Sequence, residues 1–330
     1  MPGGVRRIVP LTAVACVAVL WTAAVAYAGN PGGFMPSAPH SPNAHRINQA
    51  YIFICYFTGF ILVVVEGALI TFIVKYRRGK RARTAEGQQI HGSTRLEIIW
   101  TVIPVLILAA IGSFVFYKLP GIADAPKAAA ADETTIRIEG HQYYWRFVYP
   151  NGAVSIGTMV APAGEVVKED VVGLTWDVNH SWWVPSLGGK YDAIPGRTNQ
   201  TWFKAPVGDY VARCAELCGI QHALMDGDVK VVPRQQYEQF VSQRAANPQA
   251  SGLGKEEFQG VCMTCHRLDH KYVGPALGSN PLLHDVRGLK TILRQGIGNM
   301  PAVGHNWSDA DIRALVAYTK TLTASNGGNG

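Results

Sequence analysis

Two long apolar runs, Ile47 to Val74 and Leu96 to Leu119, constrain this chain before anything else does. Each is long enough for one membrane helix, which needs about 20 apolar residues. Between them lies a basic stretch, Lys75 to Arg95, with Lys75, Arg77, Arg78, Lys80, Arg81 and Arg83 at its head. Such residues stay on the cytoplasmic side, so both flanks of the hairpin are expected outside. Arg6 and Arg7, the apolar Ile8 to Val25 and the small-x-small Ala26-Tyr27-Ala28 read as a secretory leader cut after Ala28. An uncleaved first anchor is the alternative. Leader and loop agree on one topology: a multi-pass membrane protein, with lipid around the hairpin and the rest of the chain on the outer face.

Composition fits that topology. Of 330 residues, 48% are hydrophobic and only 16% charged, which suits a soluble part carrying membrane segments. The net charge of +7 comes with a basic cluster beside an apolar run, so it marks orientation rather than a nucleic-acid partner. Glu66 lies within the first apolar run, where a carboxylate faces protein or water. Glu97 opens the second, where an acid either complements the helix dipole or has a functional role.

The boundaries read as follows: leader 1–28, an irregular exported arm 29–46, the hairpin 47–119, a β-rich unit 132–233, a short helix and linker 234–254, and a small helical unit 255–324. The β-rich unit has short alternating stretches, Ile136 and Ile138, Val154, Val166-Val167, Val171-Val172, Trp176 to Val178, Tyr210-Val211 and Val229 to Val232. Turn residues such as Pro150-Asn151-Gly152 and Val207-Gly208-Asp209 divide them, which argues a β-sandwich. Tyr237, Phe240 and Val241 mark a short amphipathic helix. In the last unit Ser308-Asp309-Ala310-Asp311 is a helix start, and Ile312, Leu315, Val316 and Thr319 share one helical face. A unit this small has little core of its own, and a buried haem would add apolar mass.

Six cysteines are present. Cys16 falls in the leader and Cys55 in the first apolar run. The other four form two tight pairs with histidines beside them, so metal and haem chemistry competes with disulfides. Cys214, Cys218, His222 and Met225 offer thiolate, imidazole and thioether within one loop, the donor types that suit copper. His180, placed after the strand-like Trp176 to Val178, can reach the same end of a sandwich. A mononuclear blue site uses one cysteine; two cysteines can bridge two copper ions, with Met225 and a backbone carbonyl completing them weakly. Cys262-Met263-Thr264-Cys265-His266 is the covalent haem c signature. Met300, in Gly298-Asn299-Met300-Pro301, is the favoured sixth iron ligand, in competition with His270, His284 and His305.

These motifs together resemble subunit II of cytochrome c oxidase. The resemblance runs from about Ile47 to Phe240, through Glu97-Ile98-Ile99-Trp100-Thr101, Gly140-His141-Gln142-Tyr143-Tyr144-Trp145, His180 to Leu187, Lys190 to Arg197 and the cysteine loop. The fused cytochrome c unit is similar to the caa-type branch. That resemblance implies a cupredoxin-like Greek-key sandwich behind a two-helix hairpin, then a small all-α cytochrome c domain. It implies a dinuclear copper A held by His180, Cys214, Cys218, His222, Met225 and the Glu216 carbonyl, and a magnesium ion reached by the Glu216 side chain. It makes Glu97 a proton-pathway candidate. It makes Tyr143, where the family usually carries tryptophan, the electron-entry candidate. Gly274 to Leu277 resembles the segment packed beside the proximal histidine of small cytochromes c.

The function implied is electron delivery. Electrons would pass from an external cytochrome c through haem c and copper to subunit I, with subunit III as a further partner. Oxygen reduction and proton pumping would take place in subunit I, so no catalytic residue is expected here. The alternatives are an electron-entry subunit of a nitric oxide reductase and a stand-alone membrane electron carrier. A copper chaperone would leave His180, Met225 and the haem motif without use. Quinol oxidase homologues lack the two cysteines.

Overall fold

A computed structural model describes residues 36–77, 89, 91–127, 133–278 and 280–326, with side chains to residue 322. The leader with Cys16, Arg78 to Arg83 of the basic loop and residues 128–132 before β1 (Glu133–His141) lie outside the described residues. The described residues form two units, one holding the apolar hairpin and one holding the exported part.

In the first unit, α1 (Pro42–Tyr76) and α2 (Thr94–Lys118) run as a helical hairpin. Phe53 stacks on Phe114 with ring centroids 4.1 Å apart. Lys118 Nζ donates to Gln49 Oε1 at 2.7 Å, so the start of α1 lies beside the end of α2. The outer faces are apolar and bare: Leu108 is 68% exposed and Phe116 78%. Water would not tolerate such a surface over two full helices, and hydrocarbon would. α1 begins at Pro42, inside the stretch read as an irregular arm. Proline suits the first helical turn, where its missing N–H leaves no bond unmade.

In the second unit, ten strands form two five-stranded mixed sheets. They are β1 (Glu133–His141), β2 (Tyr144–Val148), β3 (Val154–Ile156), β4 (Thr158–Pro162), β5 (Val166–Gly173), β6 (His180–Trp183), β7 (Lys190–Ala193), β8 (Thr198–Phe203), β9 (Gly208–Cys214) and β10 (Asp226–Val232). The orders are β3-β2-β1-β5-β8 and β4-β10-β9-β6-β7, with β1–β5 and β4–β10 parallel. Alternation in β9 and β10 sends Tyr210, Ala212, Val229 and Val231 inward, while Val211 and Lys230 face out. Trp182 fills the centre, edge-on to Trp145 at 5.0 Å and to Phe147 at 5.4 Å. This is the β-sandwich expected from the strand pattern, with the cupredoxin-like form that the family resemblance implied.

The stretch Trp176 to Val178 is a turn, not a strand. Asp177 is the reason: its carboxylate accepts from Val178 N at 2.7 Å and Gln142 N at 3.0 Å, which bends the chain before β6. Trp176 and Val178 consequently stay 45% and 41% exposed.

After the sandwich come α3 (Arg234–Ala246) and α4 (Leu253–Glu257), which continues through a π turn, Phe258–Cys262, to Met263–Cys265. Then come α5 (Val286–Gln295) and α6 (Asp309–Asn326). α6 opens with a reciprocal cap: Ser308 N donates to Asp311 Oδ2 at 2.9 Å, and Asp311 N to Ser308 Oγ at 3.2 Å. Ile312, Leu315, Val316 and Thr319 are all buried. The core of this helical part also takes in Tyr144, Val154 and Ile156 of β2 and β3. The apolar mass expected from haem alone is therefore partly supplied by the sandwich, whose strands β2 and β3 are buried on both faces.

One acid lies in the sandwich interior. Glu169 of β5 is 5% exposed and accepts from Trp182 Nε1 at 2.9 Å. Burial pushes its carboxyl from the ordinary 4.5 to about 7. An acid raised in the folded state stabilises fully below its unfolded pKa, and that stability is lost as pH rises through the folded value. Glu169→Gln keeps the acceptor for Trp182. It should raise the thermal midpoint of the detergent-solubilised chain at pH 8 by several degrees and leave it nearly unchanged at pH 4, as read by calorimetry at the two pH values.

Candidate metal centre and haem site

The ends of β6 and β9 are joined by register, Trp182 opposite Cys214, so His180 and Cys214 meet at one edge of the sandwich. The loop leaving β9 then folds back through a short 3-10 turn at His222–Leu224 and re-enters as β10. This brings six sequence-predicted donors together, five side chains and the Glu216 carbonyl. Cys214 Sγ lies 3.9 Å from Cys218 Sγ and 3.9 Å from His180 Nδ1. Cys218 Sγ lies 3.6 Å from His222 Nδ1 and 3.8 Å from Met225 Sδ. The Glu216 carbonyl oxygen is 3.3 Å from Cys214 Sγ. His180 and Met225 are fully buried.

These separations are long for ordinary hydrogen bonds and far beyond the ~2.05 Å of a disulfide. They leave room between soft donors. The thiols are asymmetric: their mutual contact holds the Cys214 thiol well below its ordinary range and, with burial, pushes Cys218 above it. A thiol pair flanked by two imidazoles and a thioether matches the donor chemistry of copper. The residues therefore fit the metal pair expected from sequence.

Asp177 escaped the sequence reading. Its Oδ1 lies 3.3 Å from His180 Nε2 and so orients the ring with Nδ1 toward the sulfurs. Burial alone would raise the Asp177 carboxyl, but its hydrogen bonds from His180, Val178 and Gln142 outweigh that and hold it low. The signal was an acid three residues before the histidine in a turn-forming stretch. Gln142 adds a second tie, donating from Nε2 to the Cys218 carbonyl at 2.6 Å. Gly140 makes the approach possible: a Cβ there would stand 3.0 Å from the His180 ring.

Tyr143 packs over the same loop, where a Cβ on Gly219 would come within 2.5 Å of its hydroxyl. The Glu216 side chain points away, 44% exposed and 3.8 Å from Lys190 Nζ. Glu97 is exposed in the first turn of α2, in the other unit.

The haem signature sits where the segment begun by α4 ends. His266 N donates to the Cys262 carbonyl at 2.9 Å, so both cysteines and the histidine share one helical terminus. His266 Nδ1 lies 2.7 Å from the Pro275 carbonyl oxygen, which fixes the tautomer and leaves Nε2 as the free donor. A Cβ on Gly274 would stand 2.3 Å from the ring, so this segment packs flat against it, as the Gly274 to Leu277 resemblance implied. Met300 lies on the loop between α5 and α6, closed by a bridge to Ile297, and packs against the same core as Cys262 and Met263. Of the competing histidines, His270 is exposed beside Asp269, and His305 is engaged with the Arg294 carbonyl. His284 Nδ1 is buried with no hydrogen-bond partner among the described residues. The donor set fits covalent haem c.

Three family models match the chain in order. They are the transmembrane domain of cytochrome c oxidase subunit II over residues 30–117, its periplasmic domain over 157–232, and cytochrome c oxidase, cbb3-type, subunit III over 250–318. Cytochrome c oxidase subunit 2 of Alkalihalophilus pseudofirmus is 32% identical over 314 residues, covering 86% of this chain and 89% of that protein. The subunit 2 of Cereibacter sphaeroides is 34% identical over 260 residues, covering 64% and 80%. The crystal structure of the periplasmic domain of subunit II from Bradyrhizobium japonicum is 33% identical and covers 37% of this chain and 98% of that one, with a TM-score of 0.34. With its apolar hairpin, cupredoxin-like sandwich and C-terminal cytochrome c domain, the chain belongs to the cytochrome c oxidase subunit II family.

Proposed function

We propose that this protein is the electron-entry subunit of a caa-type cytochrome c oxidase in a bacterial inner membrane, spanning it twice with the exported domains on the outer face. The path runs from an external cytochrome c to haem c, then to dinuclear copper A, then to subunit I, where oxygen is reduced to water with proton pumping; subunit III joins the assembly. When bound, the two groups supply one-electron storage at potentials set by their ligands. The observation that carries the reading is the pair of thiols 3.9 Å apart, with an imidazole against each.

The residues divide the work. Cys214, Cys218, His180, His222, Met225 and the Glu216 carbonyl would hold the copper pair. Asp177 and Gln142 hold the pocket in shape before metal arrives, which keeps reorganisation on redox change small. Cys262 and Cys265 would anchor haem c, with His266 and Met300 to hold its iron. The loop around the sulfurs exposes Leu217, Ile220 and Leu224, at 78%, 77% and 59%. This apolar rim suits docking on a membrane-embedded partner such as subunit I. The exposed Glu216 carboxylate, paired with Lys190, is the group that would reach a magnesium ion at that border. Glu97 would stand near a proton pathway of subunit I, and Tyr143 at electron entry.

Three outcomes test this. The intact complex should couple oxidation of cytochrome c to oxygen uptake. Cys214→Ser should abolish uptake while haem c still accepts electrons; full turnover in that variant would refute the path. Asp177→Asn should weaken copper retention about 10–100-fold in chelator competition, with the haem spectrum unchanged. Met300→Ala should alter the haem absorption and lower its potential, leaving the copper content intact; an unaltered spectrum would hand the sixth position to another residue.

A further inference from the structure

Between the sandwich and the helical domain lies a buried polar junction that neither redox site uses. Arg146 of β2 is 8% exposed. Its guanidinium donates to Glu139 of β1 at 2.9 Å and to Asp311 of α6 at 3.4 Å. Asn306, on the loop before α6, donates to the same Glu139 carboxylate at 2.9 Å. Beside it, Trp307 donates from Nε1 to the Tyr144 hydroxyl at 3.0 Å, and that hydroxyl donates to the Val303 carbonyl. Two further ties surround the junction. Ile156 N of β3 donates to Glu256 at 3.2 Å, and Glu256 in turn accepts from Arg244. Trp176 of the sandwich packs on His305, ring centroids 4.2 Å apart.

A domain that merely hangs from a linker would show a wet, loosely packed face here. Instead Glu139, Arg146, Asp311, Tyr144 and Trp307 are all under a tenth exposed, and a Cβ on Gly260 would stand 3.0 Å from Ile156. A buried guanidinium with a carboxylate from each side specifies one relative placement, since a shifted one would strand a charge. Adjacent residues then serve both sites. Tyr144 enters the haem domain's core, while Tyr143 lies on the copper loop.

We infer that the cytochrome c domain is docked permanently on the β1–β2–β3 face of the copper domain, and that Arg146 is the positioning residue that holds the haem site at a fixed separation from the copper site. This rests on the electron path proposed above. The step it serves moves one electron from reduced haem iron to the copper pair, with no atom exchanged.

The test uses the intact complex. In hydrogen-exchange mass spectrometry, the β3 segment containing Ile156 should be as protected as core strands such as β5, with or without the metals. Arg146→Ala should speed exchange there by about tenfold or more, and Arg146→Lys should restore part of the protection. In the unmodified complex, flash reduction of haem c should be followed by copper reduction at a rate independent of solvent viscosity, and Arg146→Ala should make that rate viscosity-dependent. Rapid exchange at β3 or a viscosity-dependent rate in the unmodified complex would overturn the inference. So would an Arg146→Ala complex that matches the unmodified one in both readouts. No electron reaching copper at all, with β3 protected, would instead refute the electron path and leave the docking standing.

Discussion

Two sulfurs 3.9 Å apart at the mouth of a β-sandwich are the constraint from which the rest follows. They can face each other only because β9 ends at Cys214 and the next turn brings Cys218 back before β10 begins. They meet imidazole only because β6 pairs with β9 and starts at His180. The tryptophan core stiffens that strand pair, and Asp177 fixes the histidine ring. A pocket held this firmly changes little when charge moves through it, which is the property a one-electron relay needs.

The second domain extends the same logic. Small cytochrome-like units are short of core, and this one draws on β2 and β3 for Tyr144, Val154 and Ile156. Sharing a core turns two redox domains joined by a linker into one body. The cost is a buried cluster of charge, in which the Arg146 guanidinium lies between the Glu139 and Asp311 carboxylates.

Local chemistry was legible in the sequence, and long-range chemistry was not. Cys214, Cys218, His222 and Met225 stand close together within one loop, and Cys262, Cys265 and His266 within one helical turn, whereas His180, 34 positions before Cys214, reaches the loop only through the β6–β9 pairing. The helix at Asp309 declared itself by a four-residue cap and an apolar stripe. Trp176 to Val178 misled because tryptophan and valine favour strands, while the Asp177 hydrogen bonds that impose a turn depend on Gln142, 35 positions away. Arg146 and Asp311, 165 positions apart, carry no pattern that pairs them. The double burial of β2 was equally hidden, since an outward Tyr144 reads as a solvent-facing residue until a second domain covers it.

The central claim is that the paired thiolates hold two copper ions sharing one unpaired electron. Electron paramagnetic resonance of the purified, air-oxidised protein measures this directly. The account predicts a signal whose hyperfine pattern is split by two equivalent copper nuclei, with two coppers per chain by metal analysis. A single-copper pattern, or a metal-free protein with Cys214 and Cys218 joined as a disulfide, would contradict it.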